Sequence, residues 1–132
     1  MSLDMYQEQI MDHYRSPRNR GTIEHADITF HDYNPLCGDE VVLTVKVNDS
    51  RIADIKFSGQ GCAISQAATS MLTEEVTGKT FKEVLGMQNK EVLGLLGIPI
   101  SPARLKCALL GFKALEKGIV AYESQRENGI SH

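Results

Sequence analysis

No stretch of this sequence is apolar for anything like the ~20 residues that a membrane-crossing helix needs. Met1-Ser2-Leu3-Asp4 carries neither the basic region nor the apolar run of a secretory signal peptide. Together these absences lead us to expect a cytoplasmic protein. There is no basic excess either: the formal net charge is −3 and the pI about 5.8. A nucleic-acid partner, which usually calls for such an excess, is not expected. Repeats, low-complexity tracts and linkers are missing, so residues 1–132 are expected to form a single domain. The three cysteines are an odd number, which cannot pair completely within one chain. In a reducing compartment disulfides are disfavoured in any case. The C-x2-C spacing of compact structural zinc sites is also absent.

What is present is ordinary globular composition, 42% hydrophobic and 23% charged. Met5, Tyr6, Ile10 and Tyr14 recur near helical spacing, which predicts a first helix from Asp4 to Tyr14. The run Arg15-Ser16-Pro17-Arg18-Asn19-Arg20-Gly21 ends it, because Pro17 removes a donor and discourages helix at Ser16. Three strands are predicted, at Ile28–Tyr33, Val41–Val47 and Ile52–Phe57. Ala53, Ile55 and Phe57 are expected on one side of the third. Asn48-Asp49-Ser50-Arg51 reads as a hairpin turn. Helix formers then dominate Cys62–Val76, Phe81–Met87 and Asn89–Leu96. Ser101 and Pro102 start a last helix that is expected to reach about Gln125. Hairpin-linked strands followed by a block of helices define an α+β fold: a three-stranded antiparallel sheet with helices packed on one face.

The cysteines sit in three different settings. Cys37 lies in Asn34-Pro35-Leu36-Cys37-Gly38-Asp39, an irregular loop between the first two strands. Residues two apart in extended chain point to one side, so Cys37 and Asp39 can reach one ion together. The plainer alternative is a turn in which Asp39 makes a local hydrogen bond. Cys62 follows Gly59-Gln60-Gly61 at a helix start, where unpaired N–H groups and the helix dipole favour a thiolate. Cys107 falls about 120° from the centre of the apolar stripe Leu105, Ala108, Leu109, Phe112, Leu115, Ile119 and Tyr122. It is therefore not an obvious core cysteine, and Arg104 and Lys106 are expected to help hold its thiolate. The alternative for each cysteine is a small buried apolar residue. Three thiolates and a carboxylate suit zinc, copper(I) or an iron–sulfur cluster rather than magnesium or calcium. An aspartate in place of a fourth thiolate should weaken the hold on a cluster.

These residues resemble the IscU/SufU/NifU-type iron–sulfur cluster assembly scaffolds, from about Tyr6 to Tyr122. The likeness rests on Asp12-His13-Tyr14-Arg15-Ser16-Pro17-Arg18-Asn19-Arg20-Gly21 and Asn34-Pro35-Leu36-Cys37-Gly38-Asp39. It rests equally on Gly59-Gln60-Gly61-Cys62-Ala63-Ile64-Ser65 and Arg104-Leu105-Lys106-Cys107-Ala108. The resemblance implies a NifU N-terminal/SufE-like fold and a metal or cluster site at Cys37, Asp39, Cys62 and Cys107. It further implies Zn2+ or a transient 2Fe–2S cluster as cofactor. Persulfide sulfur would come from a pyridoxal-phosphate cysteine desulfurase, and apo iron–sulfur proteins would receive the cluster. Lys106 stands where IscU-type members have histidine, as in SufU. Ile100-Ser101-Pro102-Ala103-Arg104 lacks the full Leu-Pro-Pro-Val-Lys motif, so a dedicated Hsp70-type chaperone is not expected. The short interval from Cys62 to Cys107 lacks the insertion typical of SufU and is IscU-like.

Two roles follow: a scaffold that builds and hands on a cluster, or a zinc-dependent sulfur relay. Cys37 is the first candidate persulfide acceptor and Cys107 the second, and a stand-alone enzyme is the less expected alternative. A structural zinc interaction domain would unfold without metal. A cysteine hydrolase would need a paired base, and none of His13, His25, His31 and His132 lies in a nucleophile motif. His13 reads as a satisfied polar contact. Arg15, Arg18 and Arg20 read as a solvated loop.

Overall fold

A computed structural model describes residues 3–35 and 38–130 of the chain. The elements run α1 (Leu3–Arg15), β1 (Ile28–Asn34), β2 (Asp39–Asn48), β3 (Arg51–Gln60), α2 (Ala63–Val76), α3 (Phe81–Leu85), α4 (Asn89–Leu96) and α5 (Pro102–Ile130). The strands form an antiparallel sheet in the order β1-β2-β3, as expected. Asp49 and Ser50 close the β2–β3 hairpin at φ 52° and 57°, the left-handed pair whose twist matches that of the flanking strands.

The sheet buries one face under α2 and α5. Leu43, Val45, Ile55 and Phe57 meet Leu72, Val76, Phe112, Leu115 and Ile119 there. A second apolar cluster joins α1, α2, α4 and α5 through Ile10, Ala67, Ala68, Met71, Leu96 and Ala108. The inward set of β3 differs from strict alternation. The register shifts between Lys46 and Val47, so Val47 pairs with Ile52 while Lys46 pairs with Asp54. Ala53 is the extra residue of this bulge and is exposed, and Ile52 turns into the core instead.

Helix α2 lies between the two clusters and is buried on more than one side. Its hydroxyls close onto the helix itself: Thr69 Oγ1 donates to Ser65 O and Thr73 Oγ1 to Ser70 O. A methyl group at Gly111 would sit 2.6 Å from Thr69 Oγ1. Only glycine permits α5 to pass this close to α2. The approach also corrects the expectation for Cys107. It is 1% exposed, because α5 is covered by α2 as well as by the sheet and buries Cys107, Leu110, Gly111, Ala114 and Gly118 beyond its apolar stripe. The helix continues past Gln125 to Ile130.

Candidate metal centre

Three chain segments meet at the end of the sheet nearest the start of α2. Gly38, at φ +73°, donates its N–H to Asn34 O at 2.9 Å and leads into β2. Asp39, the first residue of β2, is 2% exposed and its Oδ1 accepts the Cys62 N–H at 3.0 Å. A side chain at Gly61 would come within 2.6 Å of that same Oδ1, so the contact requires glycine there. Cys62 is the N-cap of α2. Its carbonyl accepts the Gln66 N–H at 3.0 Å, and no side-chain capping bond ties up its sulfur. Cys107 enters from the second turn of α5.

A carboxylate oxygen of Asp39 and the sulfurs of Cys62 and Cys107 all lie within 4.8 Å of one another. Around zinc, bonds of ~2.0–2.3 Å place ligand atoms somewhat closer together, so a small closure would seat an ion. The decisive feature is Asp39 Oδ2, which is buried and has no hydrogen-bond partner among the described residues. Burying a carboxylate oxygen without a partner is costly, and a cation bound between it and two thiolates removes that cost. The donor set therefore fits zinc or a thiolate-held cluster. Cys37, the remaining candidate ligand, lies outside the described residues.

Gly38, Gln60, Gly61, Ala103 and Arg104 line the cleft around these groups. Lys106 does not. It lines a separate groove with Asp32, Tyr33, Leu109, Lys113 and Lys117, since neighbours on a helix point about 100° apart. Of the two basic residues expected to hold a thiolate, only Arg104 borders the site.

His13 is 5% exposed, with Nδ1 2.8 Å from Ser70 Oγ and Nε2 3.5 Å from Glu74 Oε1. Burial first, and the Arg18 charge second, push its pKa below the usual imidazole value. It is a satisfied internal contact, as expected. The arginine run is not simply solvated. Arg18 pairs with Asp12, which holds the Asp12 carboxyl below its usual range. Arg20 donates to Gln66 Oε1 and to Gly59 O, each at 2.8 Å. Nothing local marks Arg20, because its partners lie 46 and 39 residues away.

A family described as the NifU-like N terminal domain matches residues 5–128. The chain belongs to the NifU-like N-terminal domain family. The zinc-dependent sulfurtransferase SufU of Bacillus subtilis is 40% identical over 136 positions, covering 90% of this chain and 92% of its own. The iron–sulfur cluster assembly scaffold protein IscU 1 of Archaeoglobus fulgidus is 42% identical over 125 positions, covering 95% and 80%. Among solved structures, the SufU of Fervidobacterium islandicum superposes with a TM-score of 0.75 at 32% identity, covering 90% of this chain and 99% of that one. The B. subtilis alignment needs 136 positions to use 90% of a 132-residue chain, so that relative holds residues with no counterpart here. The archaeal alignment needs almost none, 125 positions for 95%.

Proposed function

We propose that this chain is an iron–sulfur cluster assembly protein, with Asp39, Cys62, Cys107 and Cys37 as its metal and cluster ligands. The observation that carries the reading is that Asp39, whose buried Oδ2 has no hydrogen-bond partner among the described residues, is grouped with two thiols. Sulfur arrives as a persulfide on a cysteine desulfurase. A thiolate of this chain attacks the outer sulfur, forming a new S–S bond while the desulfurase sulfur leaves as thiolate. Zinc held at the centre would keep the thiols ionised and act as a Lewis acid. A 2Fe–2S cluster built on the same residues is cargo, bound for apo iron–sulfur proteins. Cys37 remains the first acceptor. Of the other two thiols, Cys62 is the more accessible, because Cys107 is 1% exposed. No described helix is long and apolar enough to cross a membrane, and a cytoplasmic setting fits that.

The sulfur-relay role is favoured by the B. subtilis relative, itself a zinc-dependent sulfurtransferase, and by Lys106. Anaerobic reconstitution with iron and sulfide, followed by transfer to an apo-ferredoxin, tests the scaffold role. A visible, transferable cluster supports it, and failure of reconstitution removes it. Stimulation of a desulfurase by zinc-loaded protein, lost in Cys37→Ala, is the result expected of the relay. Both roles predict a chain that stays folded when chelated, since neither apolar cluster includes one of these ligands among its residues. Unfolding on metal removal would instead identify a structural zinc domain.

A further inference from the structure

The segment that follows α1 ends in a contact that no ligand assignment uses. Asn19 O accepts the Phe57 N–H and Phe57 O accepts the Gly21 N–H, at 2.9 and 2.8 Å, which fixes the backbone of Arg20 against the edge of β3. The Arg20 guanidinium lies 5.6 Å from the centre of the Phe57 ring, within cation–π range. Its Nη2 donates to Gly59 O and its Nη1 to Gln66 Oε1. Gly59 is three residues before Cys62 in the sequence and Gln66 four after. Gln66 is itself 6% exposed and donates its N–H to Cys62 O.

We propose that Arg20 is a positioning residue for Cys62: one guanidinium grips both flanks of the Cys62 turn and holds its sulfur near Asp39 and Cys107 before metal arrives. This rests on the reading of those residues as ligands. Besides the Gln60–Cys62 link, the Cys62 N–H bond to Asp39 ties this turn to the start of β2. The guanidinium supplies two donors in a fixed fork. A lysine keeps the charge but cannot span both acceptors.

The test compares Arg20→Gln and Arg20→Lys with the wild-type chain, using Zn2+ competed by a chromophoric chelator and iodoacetamide alkylation of Cys62 in metal-free protein. Both variants are expected to bind zinc about tenfold more weakly, the usual cost of losing a group that orients a ligand. Cys62 should be alkylated several-fold faster in both. Arg18→Gln, which breaks a pair on the α1 side, should change neither. Unchanged zinc affinity and alkylation with only a lowered melting temperature would overturn the proposal, because a merely stabilising arginine behaves that way. So would an Arg20→Lys variant that matches wild type, which would assign the effect to charge, or weaker zinc binding with unaltered Cys62 alkylation. If the Arg20 variants do not fold, Gln66→Met removes one acceptor at similar volume and carries the same expectations. A wild-type chain that binds no zinc would defeat the ligand reading, while the alkylation comparison would still decide the clamp.

Discussion

Two polar regions of this molecule centre on buried side chains, Ser70 and Asp39, and differ in how completely their polar groups are satisfied. Around Ser70, the interface of α1, α2 and the following loop accounts for its polar groups: Ser70 Oγ accepts the Arg18 N–H and lies 2.8 Å from His13 Nδ1, and Asn19 Nδ2 donates to Thr73 Oγ1. Around Asp39, one carboxylate oxygen is satisfied by the Cys62 N–H and the other has no partner among the described residues. The first region is what a folded chain does to bury polar groups at little cost. The second leaves a demand unmet among the described residues and places two thiols beside Asp39. A histidine and a serine with an acid nearby look more like chemistry in sequence, yet closure marks the Ser70 cluster as structure and incompleteness marks the Asp39 cluster as the candidate site.

The comparison breaks most sharply at a proposed ligand. Cys62→Ala should weaken zinc binding by more than about 100-fold, beyond the loss seen for groups that only orient ligands, with little change in the melting temperature of the metal-free chain. Chelator competition and calorimetry on one preparation check both halves. Ser70→Ala should do the reverse. It leaves His13 Nδ1 and the Arg18 N–H without this partner and should cost about 1–3 kcal/mol of stability by urea unfolding, with zinc affinity preserved. A zinc affinity that fell with Ser70 would mean that the two regions are not separable.

Smaller effects sharpen the contrast. Asp39→Asn keeps the oxygen that accepts the Cys62 N–H and removes the buried charge on the other, so the metal-free variant should melt at or above the wild-type temperature while zinc binding weakens. A clear loss of apo stability would show that Asp39 is satisfied in solution. The smallest effect is on pH. His13 has a folded pKa below its ordinary value of 6.5, so on acidification the unfolded chain takes up the proton first. Stability is then complete above about pH 6.5 and is lost as the pH falls through the folded value. The urea midpoint of metal-free protein should drop between pH 7.5 and 5.5, and less steeply in His13→Gln, as measured against the Asp12, Arg18 and Glu74 charges that flank the ring.

Periodicity made the elements legible. The alternation of Val41, Leu43 and Val45, and the breaks at Pro17 and Gly97, are local properties that a strand or helix obeys wherever it is packed. The proposed ligands were legible because thiols, glycines and an aspartate in these settings are chemically unusual. Three features were not legible. Ile52 rather than Ala53 faces inward because a partner strand shifts register. Lys106 lines a different groove from the cleft that Arg104 borders, because the packing of α5 on α2 and the sheet decides which side of the helix meets the cleft. Arg20 grips the Cys62 turn through acceptors remote in sequence.

By itself, then, the sequence determined the order of helices and strands, the α+β class and the set of groups able to bind metal, since each depends on residue type and short-range spacing. The tertiary structure alone decided that Cys107 is buried, that glycines at 61 and 111 let Asp39 approach the Cys62 turn and α2 approach α5, and that Asp39 carries an oxygen with no partner among the described residues. Those outcomes depend on how closely distant segments pack, which short-range spacing does not encode.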